Sequence, residues 1–298
     1  MQALPSWQLF ALCVLTWGTT WYAITWQIDA TAPEVGVAWR FTLAAAVALA
    51  AWAARGGRLR FGAAQHLRLA AQGAFMFSLS YVAIYHAERH VPSGLVAVGY
   101  AASPLVNGLG AHWLFGAPLA RRFVAGGVAG VAGVAGVALI FAPQFRAADA
   151  TGAVALGAAL TVLAVLLSSA GSLIASRNRE RQIPFWPALG YGMAWGALLS
   201  WALVAVAGHD PLPPATWRWW AALGYLALAG SVLTFAAYLS LLDRLGPGRS
   251  SAIGVMTPLL ALAVSVAFEG YRPDLAAALG AALAVAGNVM MLRRDERG

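Results

Sequence analysis

Long runs of uncharged residues alternate with short polar gaps along the whole chain. Nine runs of 18 to 31 residues contain no Asp, Glu, Arg or Lys, and a tenth, 35–54, is interrupted only by Arg40. The nine are 1–28, 69–87, 90–120, 123–145, 150–176, 182–209, 219–242, 250–268 and 275–292. Because a helix of about 20 residues crosses a hydrocarbon core of roughly 30 Å, each run predicts one membrane-spanning helix. We therefore expect an all-α polytopic membrane protein with ten transmembrane helices in one membrane domain.

The arginines predict the orientation of these helices. All 19 basic residues are arginine, and 14 of them lie in the gaps after spans 2, 4, 6 and 8 or in the C-terminal tail. The gaps after the odd-numbered spans hold four: Arg89, Arg146, Arg218 and Arg272. Short loops rich in arginine stay on the cytoplasmic side, so both termini are expected in the cytoplasm.

Composition excludes several other classes of protein. Hydrophobic residues make up 61% of the chain and charged residues 10%, whereas soluble domains carry about 25% charged residues. The net charge of +8 is therefore interpreted as topology and contact with anionic lipid, not as binding to nucleic acid. A single cysteine, Cys13, excludes an internal disulfide and a multi-cysteine metal site.

The chain resembles itself at an offset of 154 residues. The shift aligns Ser103-Pro104-Leu105 with Thr257-Pro258-Leu259 and several glycines with glycines. In a glycine-rich protein some of these matches can arise by chance. The matched order nevertheless favours two five-helix repeats, 1–145 and 146–298. Because five is odd, the second repeat must enter the membrane from the opposite side.

Several short motifs resemble those of a known family. They are Trp17-Gly18-Thr19-Thr20 in span 1, Arg40-Phe41 in span 2, Ser103-Pro104-Leu105 in span 4, Pro258 in span 9 and Glu269-Gly270 at its end. Together with the two five-helix halves, they resemble the drug/metabolite transporter superfamily, EamA family. The length and aromatic content of the chain are similar to those of bacterial aromatic amino-acid exporters of the YddG type. The resemblance implies an inner-membrane metabolite exporter with a central cavity between the halves.

Polar and aromatic side chains in mid-span are the candidates for lining such a cavity. Spacings of three, four and seven residues place them on shared helix faces. Aromatic rings with polar tips suit an amphipathic ligand, although packing and interfacial belts use the same residue types. The candidates are Trp17, Thr20, Trp21, Tyr81, Tyr85, His86, Tyr100, Ser103, Asn107 and Thr257.

Arg40 and two prolines are further candidates. Arg40 either extends to the membrane interface, anchors a substrate carboxylate or clamps a neighbouring helix. Pro104 and Pro258 lack the N–H that would bond the carbonyls of Tyr100 and Gly254, so each is expected to loosen its helix as a hinge. The freed carbonyls either accept the ammonium of a substrate or are satisfied by a neighbouring hydroxyl.

Other features of the sequence predict no chemistry. His86 and His90 lack further ligands at useful spacing, and no hydrolase, zinc-protease or Walker A motif is present, so we expect neither an enzyme nor a metal or cofactor. Glu88, Asp243 and Glu269 lie at span ends and are expected to close loops rather than to relay protons. Glycines in span 5 predict helix packing or a homodimer face.

The function that we predict from these features is secondary transport. A carrier of this kind exports small neutral solutes, aromatic or bulky apolar amino acids above all, across the inner membrane by alternating access. Export of drugs or other amphipathic metabolites by the same fold is the alternative. A non-transporting membrane scaffold and an intramembrane enzyme are the competing classes, and both lack supporting motifs.

Overall fold

The computed structural model describes residues 4–119, 121, 123–129, 152–250, 252–272 and 275–292. All regular structure in these ranges is helical, and no strand occurs among them. Residues 130–145 of the predicted fifth span, Arg146 and the arginines of the C-terminal tail lie outside the described residues.

Four complete helices and part of a fifth form the first half of the bundle. They are α1 (Ser6–Ile28), α2 (Pro33–Ala53), α3 (Ala63–Ala87), α4 (Ser93–Phe115) and the described part of α5 (123–129). Proline at the first position of α2 suits a helix start, because its missing N–H would have no partner there. Gly116 ends α4 with φ 68°, a left-handed conformation that glycine adopts without strain.

Five helices form the second half. They are α6 (Ala153–Glu180), α7 (Phe185–Ala207), α8 from Trp217, α9 (Ala252–Phe268) and α10 (Leu275–Leu292). Helix α8 consists of three segments, Trp217–Gly224, Tyr225–Leu233 and Thr234–Ser250. The boundaries of these helices fall close to the charged residues that delimit the uncharged runs.

Seven of the described helices are long and apolar enough to cross a membrane, namely α1–α4 and α6–α8. Helices α9 and α10 contain the shorter apolar stretches Met256–Phe268 and Ala278–Gly287. With α5, these elements confirm the predicted all-α membrane fold of ten helices. We call the end of the bundle that holds the α1–α2 loop the α1–α2 end.

Contacts between helices repeat from one half to the other. Helix α1 packs against α8 and α9, and its counterpart α6 packs against α3 and α4. Helices α2 and α7, which are counterparts of each other, share one of the most extensive contacts in the described bundle. This exchange of equivalent partners is what two inverted five-helix repeats require.

Each half also contains a π-helical segment, and the two segments lie at equivalent positions in the repeats. Helix α3 changes to a π-helix over Ala74–Leu79, and α8 does so over Tyr225–Leu233. In α8 the hydroxyl of Ser231 donates to the Leu226 carbonyl, five residues earlier, at 2.9 Å. Such π-segments often occur at functional sites. The pattern of hydrophobic and polar residues did not predict either π-segment.

Candidate functional site

A cavity of about 340 Å³ lies between the two halves of the bundle. Pockets of roughly 300–1,000 Å³ accommodate small organic ligands. The first half contributes α1, α2, α3 and α4, and the second half contributes α6, α8 and α9. The lining consists of Trp17, Thr20, Trp21, Ile24, Arg40, Met76, Phe77, Tyr81, Ile84, Ala97, Tyr100, Ser103, Pro104, Asn107, Ser168, Ser172, Phe235, Gly254, Thr257 and Pro258.

Eight of the ten predicted cavity residues belong to this lining. They are Trp17, Thr20, Trp21, Tyr81, Tyr100, Ser103, Asn107 and Thr257. Arg40 and both prolines lie there too, so residues from five helices of the sequence prediction meet in one space.

Aromatic rings form much of the wall and hold each other in place. The rings of Trp21 and Tyr100 lie 5.2 Å apart, and those of Trp17 and Phe235 lie 5.3 Å apart edge to face. The indole N–H of Trp17 donates to the Gly230 carbonyl in the π-segment of α8 at 3.0 Å. Because the contacts of Trp17 link the two halves, the shape of the cavity depends on how the halves are arranged.

Arg40 is buried, with 2% of its surface exposed, and faces the cavity. Its Nε donates to the Ser231 hydroxyl at 3.4 Å, and its guanidinium lies over the rings of Tyr81 at 4.7 Å and Phe41 at 5.3 Å. Of the three alternatives for Arg40, extension to the interface is wrong. The contact with Ser231 makes it a clamp between α2 and α8.

One nitrogen of this guanidinium has no hydrogen-bond partner in the described part of the chain. Nη1 of Arg40 is buried and forms no hydrogen bond with any described residue. A buried cationic donor of this kind is costly unless it is paired. Arg40 is also the only charged side chain among the described residues that line the cavity. The arrangement is suited to a carboxylate ligand.

Three further buried polar atoms around the cavity lack hydrogen-bond partners within the described part of the chain. They are the hydroxyl oxygen of Tyr100, Oγ of Ser103 and Oδ1 of Asn107, all on α4. Thr257 differs, because its hydroxyl donates to the Ile253 carbonyl at 2.8 Å. The α4 side of the cavity therefore offers donors and acceptors that the described residues do not use.

Tyr85 and His86 lie outside the lining, which corrects their prediction as cavity residues. Tyr85 is fully buried, and its hydroxyl donates to Oε1 of Gln27 on α1 at 2.8 Å. The His86 ring bonds the Glu34 carboxylate at 2.7 Å through Nε2. Helical spacing from Tyr81 allowed either the i+3 or the i+4 neighbour to share its face, and Ile84 is the one that lines the cavity.

The two prolines behave differently. Helix α4 tightens to a 3₁₀ turn over Tyr100–Ala102 just before Pro104, where the Ser103 N–H donates to the Tyr100 carbonyl. That carbonyl is therefore already bonded to the backbone, contrary to the expectation of a bare acceptor. Helix α9 continues through Pro258 without a change of helix type. The predicted loosening coincides with a change of helix type in α4, and for α9 it stays a prediction.

The second half supplies lining residues that the sequence reasoning missed, including Ser168, Ser172, Phe235 and Gly254. Ser168 and Ser172 are four residues apart in a strongly apolar helix, and that spacing was the available signal. No comparable pattern marks Phe235 or Gly254. Whether these two residues line the cavity depends on which helices of the two halves pack together.

Polar contacts tie the halves together at the α1–α2 end. The Glu269 carboxylate, just after α9, accepts a hydrogen bond from the Ser93 N–H at 3.0 Å and another from its hydroxyl. The Gly94 N–H donates to Ser265 of α9 at 2.8 Å. Glu269 thus caps α4, as expected of a residue that closes a loop. Glu34 likewise joins His86 at 2.7 Å to His209, 3.6 Å away after α7.

Comparison with known proteins gives matches to a family and to a solved fold. The model of the EamA-like transporter family matches the chain twice, over residues 5–139 and 155–293. A crystal structure of a protein is similar over 96% of this chain and 95% of its own chain, with a TM-score of 0.65 and 23% sequence identity. At that identity the similarity concerns the fold alone. No curated protein matches the chain.

Proposed function

The chain belongs to the EamA-like transporter family, and on that premise we propose that it exports small neutral amino acids with aromatic or bulky apolar side chains. Membership makes it a multi-pass membrane transporter of the drug/metabolite transporter superfamily. The substrate, the direction and the mechanism are our proposal. The more specific resemblance to exporters of the YddG type stays a prediction.

The observation that supports this substrate class is the pairing of Arg40 with an aromatic wall. The unpartnered Nη1 of Arg40 suits a carboxylate, and the rings of Trp21, Tyr81 and Tyr100 suit an apolar or aromatic body. A dibasic solute would bring excess positive charge beside a buried guanidinium. Desolvating such a charge without a partner costs several kcal/mol.

Alternating access would open the cavity to each side of the membrane in turn. The halves meet along α2 and α7, and the contacts of Glu269 and Glu34 cross between them at the α1–α2 end. In our proposal, these polar contacts break when the α1–α2 end opens, and the α2–α7 contact persists as the axis of movement.

Counterflow in proteoliposomes tests the proposal. Liposomes loaded with unlabelled phenylalanine should take up labelled phenylalanine or tryptophan transiently, and liposomes loaded with lysine should not. Faster exchange of dibasic than of aromatic amino acids would overturn the substrate class. Exchange of amphipathic drugs without any exchange of amino acids would favour the alternative that the sequence left open.

A further inference from the structure

Glu88 is a buried carboxylate that has no hydrogen-bond partner among the described residues. It is the first residue after α3, with 8% of its surface exposed, and neither of its oxygens forms a hydrogen bond with a described residue. Glu269 nearby caps α4, whereas Glu88 closes no loop in this way. An anion left like this in a protein interior is strongly disfavoured, so it needs a proton or a cationic partner.

The surroundings of Glu88 place it between the cavity and the α1–α2 end. Ile84, one helical turn earlier on the same face of α3, lines the cavity. Three titratable or charged groups face the Glu88 carboxyl: Glu269 after α9, Arg40 of α2, and Tyr85 of α3 itself. Arg40 lines the cavity and its charge also acts on the Glu88 carboxyl. A ligand that binds Arg40 would therefore change the electrostatic environment of Glu88.

Burial raises the pKa of Glu88 well above its ordinary value. The negative charge of Glu269 raises it further, and the positive charge of Arg40 opposes both effects. A carboxyl group with these neighbours exchanges its proton at a pH well above that of an exposed glutamate.

We propose that Glu88 binds the proton that this carrier exchanges for its substrate. The inference rests on the proposed function, because it adds a coupling ion to that transport. An α-amino acid whose carboxylate pairs with Arg40 carries its ammonium group one carbon away. That ammonium and a proton compete for the Glu88 carboxylate, since a protonated Glu88 has no charge to offer the ammonium. Substrate binding therefore releases one proton, and proton binding releases the substrate.

Competition of this kind produces antiport. At one face of the membrane Glu88 gives up its proton as the amino acid binds, and at the other face it takes a proton as the amino acid leaves. The inward proton gradient of a bacterial cell then drives export. In this proposal Glu88 has a role beyond the loop closure that the sequence predicts.

Two measurements on the full-length protein test the proposal. Wild-type protein in liposomes with an acidic lumen should accumulate labelled phenylalanine above its equilibrium level, and Glu88→Gln should lose that accumulation. The Kd for phenylalanine should weaken as pH falls in the wild type and should be weak and independent of pH in Glu88→Gln. Glu88→Asp should retain the pH dependence, and Glu180→Gln, an exposed control paired with Arg177, should behave as wild type.

Gradient-driven accumulation by Glu88→Gln, or tighter binding of phenylalanine at low pH, would overturn the proposal.

A separate measurement, the pH dependence of thermal stability, does not depend on the substrate. A raised folded-state pKa means that folded protein holds a proton that unfolded protein has lost, so stability falls as pH rises from the ordinary carboxyl pKa, about 4.3, through the raised value. The Tm of the wild type should show this fall in detergent, and that of Glu88→Gln should not. Identical Tm profiles would reject Glu88 as a proton site even if phenylalanine is transported.

Discussion

At the scale of single residues, Arg40 is the side chain that most restricts which substrates we expect the cavity to bind. It is the one buried cation of the described cavity, and its Nη1 is unpartnered while Nε contacts Ser231. A guanidinium binds a carboxylate through two parallel hydrogen bonds, a geometry that an amide cannot reproduce.

We expect Arg40→Gln to weaken the binding of phenylalanine without weakening the binding of phenylethylamine, which lacks the carboxylate. The loss of a charged hydrogen bond costs about 1.5–3 kcal/mol, which corresponds to roughly a ten- to hundredfold increase in Kd. Calorimetric titration of purified protein measures both ligands, and Arg55→Gln in the exposed α2–α3 loop is the control. An equal loss for the two ligands would show that Arg40 holds the fold rather than the carboxylate.

At the scale of helices, the paired prolines are not equivalent. Pro104 follows a 3₁₀ turn in α4, whereas Pro258 lies in an uninterrupted α9. Only the first therefore marks a place where the helix changes its geometry beside the cavity.

Pro104→Ala should restore the N–H that α4 lacks, convert the 3₁₀ turn to α-helix and shift the unpartnered hydroxyls of Tyr100 and Ser103. We expect a lower initial rate of counterflow together with unchanged or higher thermal stability. Pro258→Ala should change the rate less. Wild-type rates in Pro104→Ala at matched protein content would show that the break in α4 only shapes the scaffold.

The sequence predicted the helices well and the cavity in part, for identifiable physical reasons. Charged residues cannot lie freely in hydrocarbon, so the runs between them mark the helices closely. Side-chain spacing restricts a residue to a sector of its helix but does not say which neighbour that sector meets. For this reason Tyr81 lies in the lining of the cavity and Tyr85, predicted on the same grounds, does not. Phe235 and Gly254 required knowledge of how α8 and α9 pack against α1.

At the scale of the whole molecule, the arginine distribution predicts which end faces the cytoplasm. Fourteen arginines lie in the gaps after even-numbered spans or in the tail, against four in the other gaps. The α1–α2 end is therefore expected at the periplasmic face, with both termini in the cytoplasm.

Single cysteines introduced into a Cys13→Ala background test this orientation. Ala54, at the end of α2, and Leu212, in the α7–α8 loop, are both exposed and lie at opposite ends of the bundle. In intact cells an impermeant maleimide should label Leu212→Cys and leave Ala54→Cys unlabelled until the membrane is opened. The reverse pattern would mean that the molecule is inserted the other way up.

The central claim, that the cavity between the halves binds the substrate, is tested most directly by filling the cavity. Gly254 lines the cavity and Gly224 in α8 does not, and a Cβ atom added at either position meets no atom of the described residues within 4 Å. Leucine in place of glycine favours a helix, so neither variant should unfold. Calorimetric titration with phenylalanine should show binding to Gly224→Leu at wild-type affinity and none to Gly254→Leu. Equal affinities in the two variants would place the substrate elsewhere and contradict the account.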